Sequence, residues 1–181
     1  PNPSRAEPGD VILLSGPIAR HGMAIMAARE GLSFESAITS DSAALPPLVD
    51  AMRDAGMDVH VLRDPTRGGV ASALNEIAVA SGVGVEIDEA ALPVPGDVRA
   101  ACELLGLDPL YVANEGVLVA FVPEAQAARA LSAMRFHPLG AEAVRIGRVV
   151  AEHPRFVVLR TALGGTRVVD LLPGDQLQRI C

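Results

Sequence analysis

Three observations predict an α+β fold, a mixed β-sheet flanked by helices, for these 181 residues. Short apolar runs of strand length are interspersed with segments whose apolar residues recur every three or four positions, the periods of half-buried strands and helices. The two kinds do not alternate strictly, which argues against a purely parallel sheet. The last third carries three strand-like runs joined by short turns, a pattern that suggests antiparallel hairpins or a meander.

Residues 1–9 hold three prolines with Asn, Ser and Gly, the composition of an interdomain linker or a domain's leading edge. The chain starts at Pro1 and not at Met, so it is expected to be processed or, preferably, cut from something longer. The domain proper is expected over residues 10–172, followed by a tail over 173–181 released at Pro173-Gly174. Val11-Ile12-Leu13-Leu14 reads as a buried strand stopped by Ser15-Gly16-Pro17, and the run 23–29 after Gly22 as a short helix ending before Gly31. Residues 33–42 are polar and irregular, a surface loop. Leu45, Leu48, Val49 and Met52 mark a helix over 44–55, and residues 59–62 a strand. Asp64-Pro65-Thr66-Arg67-Gly68-Gly69 then leads into a helix marked by Val70, Leu74, Ile77 and Ala78. A strand over 83–87 and a helix over 97–105 follow, with Cys102 as a small core residue. Residues 106–116 form a loop into the apolar strand 117–122, and Pro123 opens a helix through Met134. The three closing strands cover 145–150, 155–160 and 166–171.

Composition bounds the function. Half the residues are apolar and a fifth charged, as in a globular protein. The net charge is -7 and every basic residue is Arg, which argues against nucleic acid or anionic membrane as a partner. The absence of Lys excludes a P-loop and any Schiff-base mechanism within this chain. No apolar run approaches a membrane span, and two cysteines supply no disulfide framework, so a cytoplasmic location is expected.

Four places carry residues with chemical potential. Cys181 puts a thiol on the last residue, either as a carrier of a covalent adduct or as an accident of where the chain stops; Arg179 favours its thiolate and the terminal carboxylate opposes it. The glycines of the Asp64 loop would let a phosphate approach a helix start, with Asp64 and Thr66 as further ligands, although tight turns use Asp and Gly for conformational reasons too. Asn114 and Glu115 stand at the mouth of a buried strand, where a carboxylate is either partly desolvated and poised as a base or simply in water. His21 sits at a turn-to-helix junction, where an exposed turn histidine is the plainer reading.

Taken together, residues 9–16, His21-Gly22-Met23-Ala24-Ile25-Met26, Arg29-Glu30-Gly31-Leu32, the Asp64 loop, Leu74-Asn75-Glu76, Ala113-Asn114-Glu115-Gly116, Gly164-Gly165-Thr166-Arg167 and the terminal Arg179-Ile180-Cys181 resemble the hydrogenase maturation family HypE. That family lies in the superfamily of aminoimidazole ribonucleotide synthetase (PurM) and selenophosphate synthetase. The resemblance covers nearly the whole chain but only the second domain of the family, with one departure: Gln178 stands where the family usually has Pro. It implies a PurM C-terminal-domain-like fold with an extended C-terminal tail, and a carbamoyl dehydratase that uses ATP and Mg2+ as the full-length protein. This segment alone is expected to be inactive and to bind neither tightly. Cys181 would receive a carbamoyl group from HypF and carry it to a thiocyanate, whose cyanide passes to iron on HypC-HypD for the nickel-iron hydrogenase. Glu115 would be the base, with His21 as runner-up, and Asn114 would hold the amide. Asp64, Thr66, Gly68 and Gly69 would hold phosphates or shape the interface with the N-terminal domain, through which the family forms homodimers. No residue is assigned as a metal ligand. The competing expectations are another ATP-dependent enzyme of the superfamily and a non-catalytic docking module for the maturation partners.

Overall fold

A computed structural model describes residues 1–34 and 37–171. Its centre is a seven-stranded sheet in the order β2-β4-β1-β5-β3-β6-β7. The strands are β1 (Asp10–Leu14), β2 (Val61–Arg63), β3 (Gly84–Asp88), β4 (Val119–Pro123), β5 (Val144–Val150), β6 (Val157–Arg160) and β7 (Thr166–Val168). The helices are α1 (Arg20–Glu30), α2 (Pro46–Asp54), α3 (Gly69–Ser81), α4 (Gly96–Leu105) and α5 (Ala127–Phe136). All neighbouring strands are antiparallel except β3 and β6, so the sheet is mixed and the class α+β.

The continuous apolar run of β1 follows from its place. Ile12 and Leu14 face a core built with Val70, Leu74 and Ile77 of α3, while Val11 and Leu13 face a second core built with Leu48 and Met52 of α2 and Ala130 and Met134 of α5. A strand covered on both faces has no polar side to alternate with. A third cluster joins Met23 of α1 to Val98, Ala101 and Cys102 of α4 and to Val112.

Two expectations need correction. The closing strands are not a meander, because β5 and β6 do not pair: β3 lies between them, antiparallel to β5 and parallel to β6. The connection crosses over β3's end, where Arg155 N–H donates to Val83 O and Val85 N–H donates to Phe156 O. Only the β6–β7 pair is a hairpin. Pro123 closes β4 and caps a 3-10 turn over Glu124–Gln126 that runs directly into α5, so the helix expected from Pro123 begins as a 3-10 turn and becomes α-helical at Ala127.

Residues 1–9 lie against the domain. Asn2 N–H donates to His60 O, Gly9 N–H to Val149 O and Ala6 N–H to Ser81 Oγ. Buried Asp10 accepts from Glu7 N–H and pairs with His60 Nδ1 at 2.9 Å. These contacts tie residues 1–9 to the domain. At the other end Tyr111 Oη donates to Asp170 O, Asn75 Nδ2 to Val169 O, and Arg167 pairs with Asp108 at 2.7 Å.

Candidate functional site

The expected site residues within the described part of the chain gather at one end of the sheet. The loops there leave β1 and β2 and enter β4 and β5, because β1 and β2 run antiparallel to β4 and β1 antiparallel to β5. One buried side chain joins them. Asn114 Oδ1 accepts from Ala19 N–H at 2.7 Å, and its Nδ2 donates to Pro65 O at 2.9 Å and Val112 O at 3.1 Å. The start of α1 with His21, the Asp64–Gly69 loop and the Ala113–Glu115 segment are therefore held against one another by the Asn114 amide, together with the backbone bonds Gly22 N–H to Ala113 O and Asn114 N–H to Pro65 O.

That role differs from the expected one. Asn114 is 0% exposed and both its amide hydrogens are taken by backbone carbonyls, so in this arrangement it positions the site and has no donor left to hold a substrate amide. It also holds Ala19 in the left-handed region (φ 72), a conformation a residue with a Cβ occupies only when its surroundings impose it. Asn114→Ala removes the acceptor for a buried N–H and the donors to two carbonyls. It is expected to lower stability by about 2–4 kcal/mol, read as a lower urea midpoint at unchanged slope.

The Asp64 loop also has structural reasons for its glycines. Gly68 and Gly69 both adopt left-handed backbone (φ 69 and 64), and a Cβ on Gly69 would collide with the carbonyl oxygens of Leu110 and Val112. Gly69 N–H donates to Thr66 O, so Gly69 serves the packing of α3 against residues 110–112 and its N–H is not free for a phosphate. Asp64 is exposed and Thr66 half-buried, both open to a ligand. A cavity of about 380 Å³ between α2 and β2 is lined by Leu45, Val49, Leu62 and Asp64.

Glu115 is half-buried beside Asn114, and His21 Nδ1 lies 2.8 Å from Ser40 Oγ. Among the described residues no three or more His, Cys, Asp or Glu converge as a metal cage. Cys181 lies outside the described residues. Sequence reasoning passed over Arg20 and Asp41, which stand at the same end of the sheet. Asp41 Oδ2 accepts from Gly116 N–H at 3.1 Å. Asp41 sits in a polar loop without periodicity, so only its three-dimensional neighbours mark it.

The other cysteine matches its expectation as a core residue. Cys102 is 1% exposed, and burial, with the charge of Asp108 adding and Arg99 opposing, pushes its thiol up to about 11. At pH 8 the thiolate fraction is about one in a thousand. Iodoacetamide is therefore expected to spare Cys102 in the native protein and to modify it in urea, as peptide mapping would show. A raised thiol pKa stabilises the fold below the unfolded value; that contribution fades as pH rises through about 11.

Residues 7–159 match the family model described as AIR synthase related protein, C-terminal domain. The chain is 60% identical over 176 residues to the carbamoyl dehydratase HypE of Cupriavidus necator, covering 97% of this chain and 50% of that protein. It is 58% identical to the carbamoyl dehydratase HypE of Azotobacter vinelandii, covering 98% and 52%. Among solved structures it is similar to a hydrogenase maturation protein HypE (TM-score 0.96, 47% identity, 100% of this chain and 58% of that one). Two others are a HypE in complex with ATP (0.92, 46%, 97% and 54%) and a HypE–HypF complex (0.89, 46%, 93% and 55%). The chain spans about half the length of the curated relatives it matches.

Proposed function

Because this chain belongs to the HypE carbamoyl dehydratase family, within the AIR synthase related group, we propose that it is the part of an ATP-dependent dehydratase that carries the base and the thiol carrier. The observation that carries the reading is the Asn114 junction, which brings His21, the Asp64 loop and Glu115 to one end of the sheet. The path of the described chain supports it: Tyr111, four residues before Glu115, donates to Asp170 O, near the last described residue.

The substrate in this reading is a carbamoyl group on the Cys181 sulfur, supplied by HypF, a partner that fits the HypE–HypF complex of a relative. Amide oxygen is a very poor leaving group and phosphate a good one. The amide oxygen attacks the γ-phosphorus of ATP and ADP leaves; a base takes the two amide protons, the C–O bond breaks with loss of phosphate, and a thiocyanate remains on sulfur. Glu115 is the base, Asn114 fixes the loop that carries it, and His21 flanks the site. Asp64 and Thr66 offer a carboxylate and a hydroxyl toward the nucleotide and its magnesium, and the half of the relatives outside this chain supplies the rest of that site. The segment alone is therefore inactive, and the whole protein works as a homodimer in the cytoplasm. The cyanide passes to iron on HypC-HypD for the hydrogenase.

The test is an intact-mass measurement of the full-length protein incubated with carbamoyl donor, HypF and ATP. A carbamoylated C-terminal peptide that loses one water on adding ATP supports the reading. A carbamoyl adduct that never loses water, or one on another residue, overturns it.

A further inference from the structure

Two sequence motifs have no part in the chemistry above, Leu74-Asn75-Glu76 and Gly164-Gly165-Thr166-Arg167, and both act on the last stretch of the described chain. Residues 166–171 are exposed except Val169, which is 0% exposed and belongs to the core that holds Val70, Leu74 and Ile77 of α3. Both backbone groups of Val169 are bonded. Its N–H donates to Val157 O, and its carbonyl accepts from Asn75 Nδ2 at 2.8 Å. Asn75 is buried and also donates to Ala71 O at 2.9 Å, so its amide hydrogens hold Val169 to the body of α3.

The residues on either side of Val169 are held as well. Arg167 pairs with Asp108 at 2.7 Å, and Tyr111 Oη donates to Asp170 O at 2.8 Å. Asp108 is itself fixed, its other oxygen accepting from Leu110 N–H at 3.0 Å. Burial, with the charge of Asp108 adding and Arg167 opposing, raises the Tyr111 phenol above its ordinary range, so it keeps its proton and remains a donor at working pH. These partners belong to the candidate site's own supports. α3 begins at Gly69, the end of the Asp64 loop, and the turn Pro109–Tyr111 leads into Ala113-Asn114-Glu115. The segment 167–170 is thereby bonded to both stretches that carry site residues.

We propose that Asn75, Tyr111 and the Asp108–Arg167 pair form an anchor that fixes the root from which the carrier end of the chain starts, and so raises the effective concentration of the Cys181 sulfur at Glu115. The proposal rests on the carbamoyl reading given above and deepens it. A group carried on a tether meets its site at a frequency set by where the tether is rooted and how firmly the root is held. A root bonded to α3 and to the turn before Glu115 keeps its place relative to both. Asn75, Asp108, Tyr111 and Arg167 are thus positioning residues: they act through the chain and touch neither substrate nor nucleotide.

The experiment uses the full-length protein and the double variant Tyr111→Phe/Arg167→Ala. Arg167 is exposed and Tyr111→Phe removes only a hydroxyl, so neither change opens the core. Two readouts are taken. The first is single-turnover dehydration of the carbamoylated protein over a series of ATP concentrations; the second is the broadening of the Asn114–Gly116 amide signals by a nitroxide attached to Cys181. The double variant is expected to dehydrate roughly fivefold more slowly at saturating ATP, with the half-saturating ATP concentration unchanged, and to lose about half or more of the broadening. A slower reaction with undiminished broadening, or with a raised half-saturating ATP, would make these residues supports of the site and not of the tether, and overturns the proposal. So do wild-type rates in the double variant, and so does a wild type without broadening. If the double variant fails to fold, Arg167→Ala alone is read in the same two ways. A wild type that loads but never loses water sinks the carbamoyl reading, while the broadening still reports on the anchor.

Discussion

Replacing Cys181 by Ala in the full-length protein is expected to abolish both the carbamoyl adduct and everything downstream of it. The effect should be a loss to background, because the proposed substrate is carried covalently on the Cys181 sulfur, which the variant lacks. The other thiol is no substitute: Cys102 is buried in the cluster between α1 and α4 with its pKa near 11, so it stays protonated and out of reach at working pH. Cys181→Ser separates the thiol from the position. A hydroxyl is almost wholly protonated near neutrality, so loading should fall steeply although the side chain is nearly isosteric. Intact-mass analysis with peptide mapping reads both variants. Carbamoylation or water loss that persists in Cys181→Ala would show that the carrier is another group.

The parts legible in the sequence are those governed by local pattern. The spacing of Val70, Leu74, Ile77 and Ala78 gave α3 its buried stripe, and β1's unbroken apolar run signalled cover on both faces. The Asp64 loop and the Asn114-Glu115 pair stood out as punctuation between elements, and the fold brings both to one place. What failed depends on long-range pairing. The connection 151–156 is short enough for a hairpin, yet it carries His153 and Arg155 in left-handed backbone and delivers β6 to the far side of β3. Neither residue type advertises that conformation. Nor does Asn114 advertise its use: an amide at a strand mouth can serve a substrate or its own backbone, and only the positions of Ala19 and Pro65, 95 and 49 residues away, decide for the backbone. Arg20 and Asp41 were invisible for the same reason, since only the folded chain brings them to this end of the sheet.

Glu115→Gln is expected to leave carbamoyl loading intact and to slow dehydration by about 10²- to 10⁴-fold, the range a positioned general base contributes. The substitution is nearly isosteric. The backbone on either side is held by bonds that do not involve the Glu115 side chain, Asn114 N–H to Pro65 O at 3.2 Å and Gly116 N–H to Asp41 Oδ2 at 3.1 Å. A glutamine can therefore occupy the same place while lacking the basicity to take a proton. The loss should fall on the step after ATP is added, seen as a carbamoylated peptide that persists through a single turnover. His21→Gln supplies the contrast. His21 reaches the same end of the sheet through α1, with Ser40 Oγ 2.8 Å from its Nδ1, so its side chain can orient or assist from the helix side. A small effect for His21→Gln beside a large one for Glu115→Gln assigns the proton to the carboxylate. Wild-type dehydration in Glu115→Gln together with a collapse in His21→Gln would transfer the base to the imidazole, and the site would then work from its helix side.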